Sequence, residues 1–166
     1  MPYYFAYGSN MNPARVEARI GGTRRALPGV LVDHVLRFDK VSKVPGISHA
    51  NVTPRRGECV EGALFELMSP EQIHAMDPFE GHPDEYCRYR LPIETAEGAI
   101  EAWVYIATPG TTAEALRPAH EYLEHLLRGR AFLSAAYHAR LTEVPAVAGL
   151  DDETLAALGL SRHHPR

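Results

Sequence analysis

The chain has 166 residues, enough for one domain with a full hydrophobic core. Hydrophobic residues make up 45% and charged residues 23%; with a net charge of −4 and no basic stripe, nucleic acid is not an expected partner. No apolar run reaches the length of a membrane span and no signal peptide is visible at the start, so the expectation is a cytoplasmic protein with no membrane partner.

Tyr3 to Tyr7 read as a buried strand of strong β formers that stops at once on Gly8-Ser9-Asn10. Met11 to Ile20 follow as a helix, with Asn12 as N-cap and Pro13 at its first position. Backbone N–H groups at such a strand–loop–helix junction can hold an anion or a polarised carbonyl oxygen; on local pattern alone, a plain turn with a helix cap is an equal reading. Arg24 to Phe38 reads as extended and broken at Pro28-Gly29. Asp39 to His49 reads as a flexible loop, Ala50 to Thr53 as a short strand, and Pro54 to Gly57 as a turn. Cys59 to Leu67 is a strand in which Gly62 marks a bulge or a close backbone approach. Ser69 is expected to cap a short helix, with Pro70 at its first position and Gln72 completing a capping box; it ends near Met76-Asp77-Pro78. Tyr86 to Ile93 and Ile100 to Ala107 alternate as a hairpin around Gly98. A helical pattern begins at Ala113, with Leu123, Leu126 and Leu127 at helical spacing. Phe132 to Leu141 is a further helix, and a small helix follows Asp151 before a frayed "SRHHPR". The sum is an α+β fold of five to six strands and several short helices, whose hairpins argue against a doubly wound parallel sheet. The expected organisation is one domain over residues 1–145 and a C-terminal tail with a short helix over 146–166.

Glu80 is the carboxylate to single out. It lies between Phe79 and Gly81, where partial desolvation would raise its pKa from about 4.3 toward the range of neutral acid–base work. The bland alternative is a solvated loop acid. Asp77, Asp84 and Glu85 lack the spacing of a metal loop and read as structural or solvated acids. Ser9 sits on a turn but lacks the second glycine of a nucleophile elbow, so a binding role for its loop is preferred. Cys59 and Cys87 read as reduced, buried thiols. His120 and His125, five apart, fall on different helix faces, and His163 and His164 lie in the polar tail. Tyr122 and Tyr137 read as core tyrosines whose hydroxyls can still reach a pocket.

Together, "YFAYGSNM" at 4–11, "ANVTPRRGECVEGALFEL" at 50–67, "MDPFEG" at 76–81, Tyr86 and "EYLEHLLRGRAFLSAAY" at 121–137 resemble the gamma-glutamyl cyclotransferase family. The resemblance runs in order over most of residues 3–141. It implies a small mixed β-barrel surrounded by short helices. It also implies a reaction in which the α-amine of a γ-glutamyl group attacks its own γ-carbonyl, giving 5-oxoproline and a free amine. By similarity Glu80 matches the acid–base glutamate and Tyr7, Gly8, Ser9 and Asn10 match the substrate-binding loop; Tyr86 and Tyr122 are further candidate substrate contacts. The reaction requires neither metal nor cofactor, and a small γ-glutamyl compound is the expected partner of a monomer or weak homo-oligomer. Leu133-Ser134-Ala135-Ala136-Tyr137 lacks the proline found before the late tyrosine in many family members, which leaves the role of Tyr137 open. Two other readings compete: a γ-glutamyl-binding module without turnover, and an acyl variant that removes a γ-glutamyl cap from a biosynthetic intermediate.

Overall fold

A computed structural model of the chain describes residues 2–161. The strands are β1 (Tyr3–Ala6), β2 (Arg25–Val41), β3 (Ile47–Glu66), β4 (Tyr86–Thr95), β5 (Gly98–Ala107) and β6 (Arg117–Pro118). The helices are α1 (Pro13–Ile20), α2 (Ile73–Glu80), α3 (His120–Leu127), α4 (Ala135–Thr142) and α5 (Asp152–Ala157). Strand order β1-β5-β4-β2-β3 returns to β1 and closes a five-strand mixed barrel; β1 runs parallel to β5 and antiparallel to β3. β6 is added alongside β3, in parallel. This is the α+β barrel with short helices that the sequence leads one to expect.

Several elements differ from the sequence expectation. β2 is not broken at Pro28-Gly29: both residues pair, with Ala63 and Gly62. β2 meets β4 only at Val30, so Pro28 has no ladder on its other side to interrupt. Residues 39–49 are largely strand, because β2 and β3 form one long hairpin whose tip is residues 42–46. In that tip the Ser42 hydroxyl donates to the Ile47 carbonyl at 2.6 Å and accepts the Val44 amide at 3.1 Å. Pro54 to Gly57 is not a turn but part of β3. The ladder is irregular here on both strands: between the Val32–Cys59 and His34–Pro54 pairs, residues 55–58 of β3 stand unpaired against Asp33 alone. Gly57 and Asp33 adopt positive φ of 87° and 59°, and the Asp33 carboxylate accepts the Gly57 amide at 3.0 Å. Ser69 makes no side-chain cap; Gln72 instead accepts the Met68 amide at 2.7 Å. α2 runs through Pro78 to Glu80, where Gly81 at φ 63° stops it in the left-handed conformation. No helix begins at Ala113: Pro118 pairs with β3, and α3 starts only at His120. Phe132 ends a 3-10 turn (Arg130–Phe132), and α4 begins after the Ser134 cap. Asn12 caps α1 as expected.

The thiols are not core residues. Cys59 is exposed and Cys87 half-buried, because strand alternation turns their neighbours Val60 and Tyr86 inward. The segment after 146 is tied down by His120 N–H to Val147 O at 2.8 Å and Val147 N–H to Pro118 O at 2.9 Å, and Leu155, Leu158 and Leu160 are buried in the core. The expected fraying of the final residues, with His163 and His164, lies outside the described residues. Among the described residues no helix is long and apolar enough to cross a membrane.

The close approach marked by Gly62 is real. A side-chain carbon there would lie 2.3 Å from the Ala6 carbonyl oxygen and 2.9 Å from the Phe5 ring. Because the obstacle is backbone, it cannot swing away. Gly62→Ala is therefore expected to destabilise the fold by about 3 kcal/mol, read as a lowered denaturant midpoint; an unchanged midpoint would mean that β1 can shift off β3 at no cost.

Candidate active site

β1 ends at Ala6, and the chain turns into a short 3-10 segment (Ser9–Met11) before α1. This places Tyr7, Gly8, Ser9 and Asn10 at the mouth end of the barrel. α2 delivers Glu80 to the same place from its last turn. All seven residues singled out from the sequence, Tyr7, Gly8, Ser9, Asn10, Glu80, Tyr86 and Tyr122, line one cavity of about 110 Å³. Tyr137 is buried elsewhere and does not line it.

Glu80 is half-buried on the pocket wall. Burial pushes its pKa up to about 6, against the opposing pull of the Arg19 and Arg15 guanidiniums, with Asp77 adding to the rise. The Asn10 side-chain amide donates to Glu80 Oε1 at 3.3 Å and to the Tyr4 hydroxyl at 2.9 Å, while its oxygen accepts from Arg19 Nη1 at 3.3 Å. One neutral amide thus stands between the carboxylate and the nearest guanidinium. The turn of α2 that carries Glu80 is braced from behind. Asp77 accepts the Tyr105 hydroxyl at 2.7 Å and two Arg88 N–H groups at 2.8 and 3.2 Å. Burial would raise the Asp77 pKa, but these bonds outweigh it and hold the carboxyl below its ordinary value.

The phenols divide by role. Tyr7 donates to the Tyr105 carbonyl and Tyr86 to the Ala50 carbonyl at 2.6 Å, so both hydroxyl hydrogens are spent on backbone. The Tyr122 oxygen instead accepts the Ala50 amide at 3.0 Å, so its own hydrogen can turn to the cavity. Burial raises the Tyr122 pKa, keeping it protonated. Gly8 is required at this point: a side-chain carbon would lie 2.8 Å from the Tyr122 oxygen. His49, in tilted contact with Tyr122, is pulled down to about 4 by burial and the nearby Lys40, Arg15 and Arg19, so it is neutral at pH 7.

Sequence reasoning missed Arg15, Arg19, His49 and Leu158, which also line the cavity. The available signal was the i, i+4 spacing of the two arginines on the helix directly after the loop. Nothing local marked His49 or Leu158, which long-range packing brings in.

The first strand of the barrel thus runs into a polar loop that faces one half-buried carboxylate across a single small cavity. A profile of the family described as "Gamma-glutamyl cyclotransferase, AIG2-like" matches residues 4–125, and the chain belongs to that family. Among solved structures it is similar to one titled "Gamma-glutamyl cyclotransferase", at 22% identity and a TM-score of 0.75 over 95% of this chain and 98% of that one. The same identity and TM-score relate it to the human protein loc79017, titled as uncharacterized, over 95% and 97% of the two chains. A yeast cyclotransferase titled as specific to glutathione aligns over 99% of both chains at 11% identity and a TM-score of 0.61. At these identities the likeness shows the fold. No curated protein matches the chain in sequence.

Because the folded state raises the Glu80 pKa from 4.5 to about 6, folding binds this proton more tightly than the unfolded chain does. That contribution is fully present below about pH 4.5 and is lost as pH rises through about 6. Relative to Glu80→Gln, wild type should therefore lose about 2 kcal/mol between about pH 4 and pH 7, measured by urea unfolding at each pH. A gap that does not change with pH would show that the carboxyl is not desolvated.

Proposed function

We propose that this protein is a gamma-glutamyl cyclotransferase, releasing 5-oxoproline and a free amine from a small γ-glutamyl amide. The observation that carries the reading is Glu80: a half-buried carboxyl whose pKa is raised to about 6, on the wall of a cavity beside the Tyr7–Asn10 loop. Family membership supports it.

The chemistry follows from one carboxylate that meets two nitrogens in turn. Ionised Glu80 takes a proton from the substrate α-ammonium. The freed amine attacks the γ-carbonyl carbon within the same molecule, which gives the step a high effective concentration. The carbonyl oxygen gains the negative charge; the loop backbone from Gly8 to Asn10 and the Tyr122 hydroxyl are the donors proposed to stabilise it, at about 3 kcal/mol per well-placed donor. Glu80 delivers that proton to the leaving nitrogen and relays to it the second proton, which the now cationic attacking nitrogen releases. The oxyanion collapses, the C–N bond breaks, and a neutral lactam and an ammonium leave. No covalent enzyme intermediate and no cofactor are needed. Tyr86 shapes the cavity through its bond to Ala50 rather than by offering a hydrogen to substrate. The unpaired Cys59 and Cys87 fit a reducing compartment, in keeping with a cytoplasmic enzyme.

The test is 5-oxoproline release, followed by mass spectrometry, from a panel of γ-glutamyl amino acids, peptides and amines. Wild type should turn over at least one class, and Glu80→Gln should lose about 10²–10⁴ in kcat. Release from none of the panel would count against the reaction; release that survives the substitution would remove Glu80 as its base. Because the base form is the ionised one, kcat/KM should rise about tenfold per pH unit below about 6 and level off above it. A flat profile across that range would assign the proton transfer to another group.

A further inference from the structure

Arg15 and Arg19 stand one turn apart on α1, and both line the cavity. Arg15 is 8% exposed, a cation taken almost wholly out of water. Its bonds go to neutral acceptors: Nε to Ser9 Oγ at 3.2 Å and Nη1 to the Gly159 carbonyl at 3.0 Å. Arg19 likewise bonds the neutral Asn10 Oδ1. Among the described residues lining the cavity, Glu80 is the one carboxylate, and His49 is neutral at pH 7. Two guanidiniums therefore face a single carboxylate, and the cavity carries an excess positive charge. A buried charge left in excess calls for an anion.

We infer that Arg15 and Arg19 form a carboxylate subsite that takes the free α-carboxylate of a γ-glutamyl group, an assignment that rests on the cyclotransferase reading. The Asn10 amide supplies the measure. Its oxygen meets Arg19 and its nitrogen meets Glu80, so a single amide group spans guanidinium to carboxylate. An α-amino-acid head has the same compact form, with an anion and a cation on one carbon. Laid along Asn10, its carboxylate faces the arginines and its ammonium faces Glu80, the group that must deprotonate it. Both guanidiniums pass beside the Gly159 turn, where a side-chain carbon would make ordinary contact, 3.8 Å from Arg15 Nη2 and 3.9 Å from Arg19 Nη2. With the carboxylate on the arginines, the backbone of Gly8 to Asn10 is left for the developing oxyanion.

The experiment is calorimetric titration of wild type, Arg19→Gln and Arg19→Lys with 5-oxoproline and with 2-pyrrolidinone, the same lactam without the carboxylate. Turnover is assayed in parallel, and thermal unfolding checks that each variant is folded. Wild type should bind 5-oxoproline at least about tenfold more tightly than 2-pyrrolidinone, as a charge-assisted pair requires. Arg19→Gln should reduce that preference to about threefold or less and raise KM about tenfold with little change in kcat; Arg19→Lys should restore part of both. A preference that survives Arg19→Gln, or no preference in wild type, would overturn the subsite, and continued 5-oxoproline release would leave the reaction standing without it. A carboxylate preference lost in Arg19→Gln, with no release from any γ-glutamyl amide, would keep the subsite and remove the reaction.

Discussion

The site depends on the narrow space through which β1 closes the barrel. All four residues of β1 pair with β3 on one side, and Tyr4 pairs with Trp103 of β5 on the other, which fixes the register of β1. Phe5 is fully buried and its ring occupies the space that side chains at Gly29 and Gly62 would need. The Ala6 carbonyl lies against Gly62 at a distance only a glycine permits. The facing pair of glycines is thus the condition for closure. Once β1 is fixed in depth and register, Tyr7 to Asn10 must emerge at the end of the barrel where α2 presents Glu80.

Placement alone does not set how readily a carboxyl takes up a proton. A carboxylate in direct contact with a guanidinium would be held ionised far below neutrality, and one buried among apolar groups would remain protonated. Glu80 lies between these extremes because Asn10 is interposed: the arginines act on it through space while the hydrogen bond it accepts is from a neutral amide. The same Asn10 is held by Arg19 and by the Tyr4 hydroxyl, so its orientation is set from two sides. The brace of Asp77, Arg88 and Tyr105 does similar work for the helix beneath.

Much of this was legible in the chain because it is local. The strand, loop and capped helix of residues 3–20 can be read from aromatic run, Gly8, Asn12 and Pro13, and Gly62 announces its own close approach. What failed to read was cooperative. Pro28-Gly29 and Pro54 to Gly57 carry the usual marks of a break, yet the long β2–β3 ladder continues past both, through an unpaired strand edge at the first and through a bulge of residues 55–58 against Asp33 at the second. Pro78 likewise looks like a helix stop, but the helix ends only where Gly81 supplies a left-handed residue. In the cavity, Glu80 and the loop carry motif signals. His49, Leu158 and the facing of Arg15 and Arg19 arise from contacts far apart in sequence, which no local spacing encodes.

The family profile ends at residue 125, yet the cavity does not. Leu158 forms part of its wall, and the Gly159 carbonyl is an acceptor for the buried Arg15 guanidinium, 144 positions away along the chain. During synthesis the barrel strands, the Tyr7–Asn10 loop and the α2 helix with Glu80 leave the ribosome before that turn does. Arg15 then has a buried position waiting for it and no carbonyl at Gly159 to satisfy it. The barrel can therefore close before the pocket is finished, and a turn made late completes the environment of a side chain made 144 positions earlier.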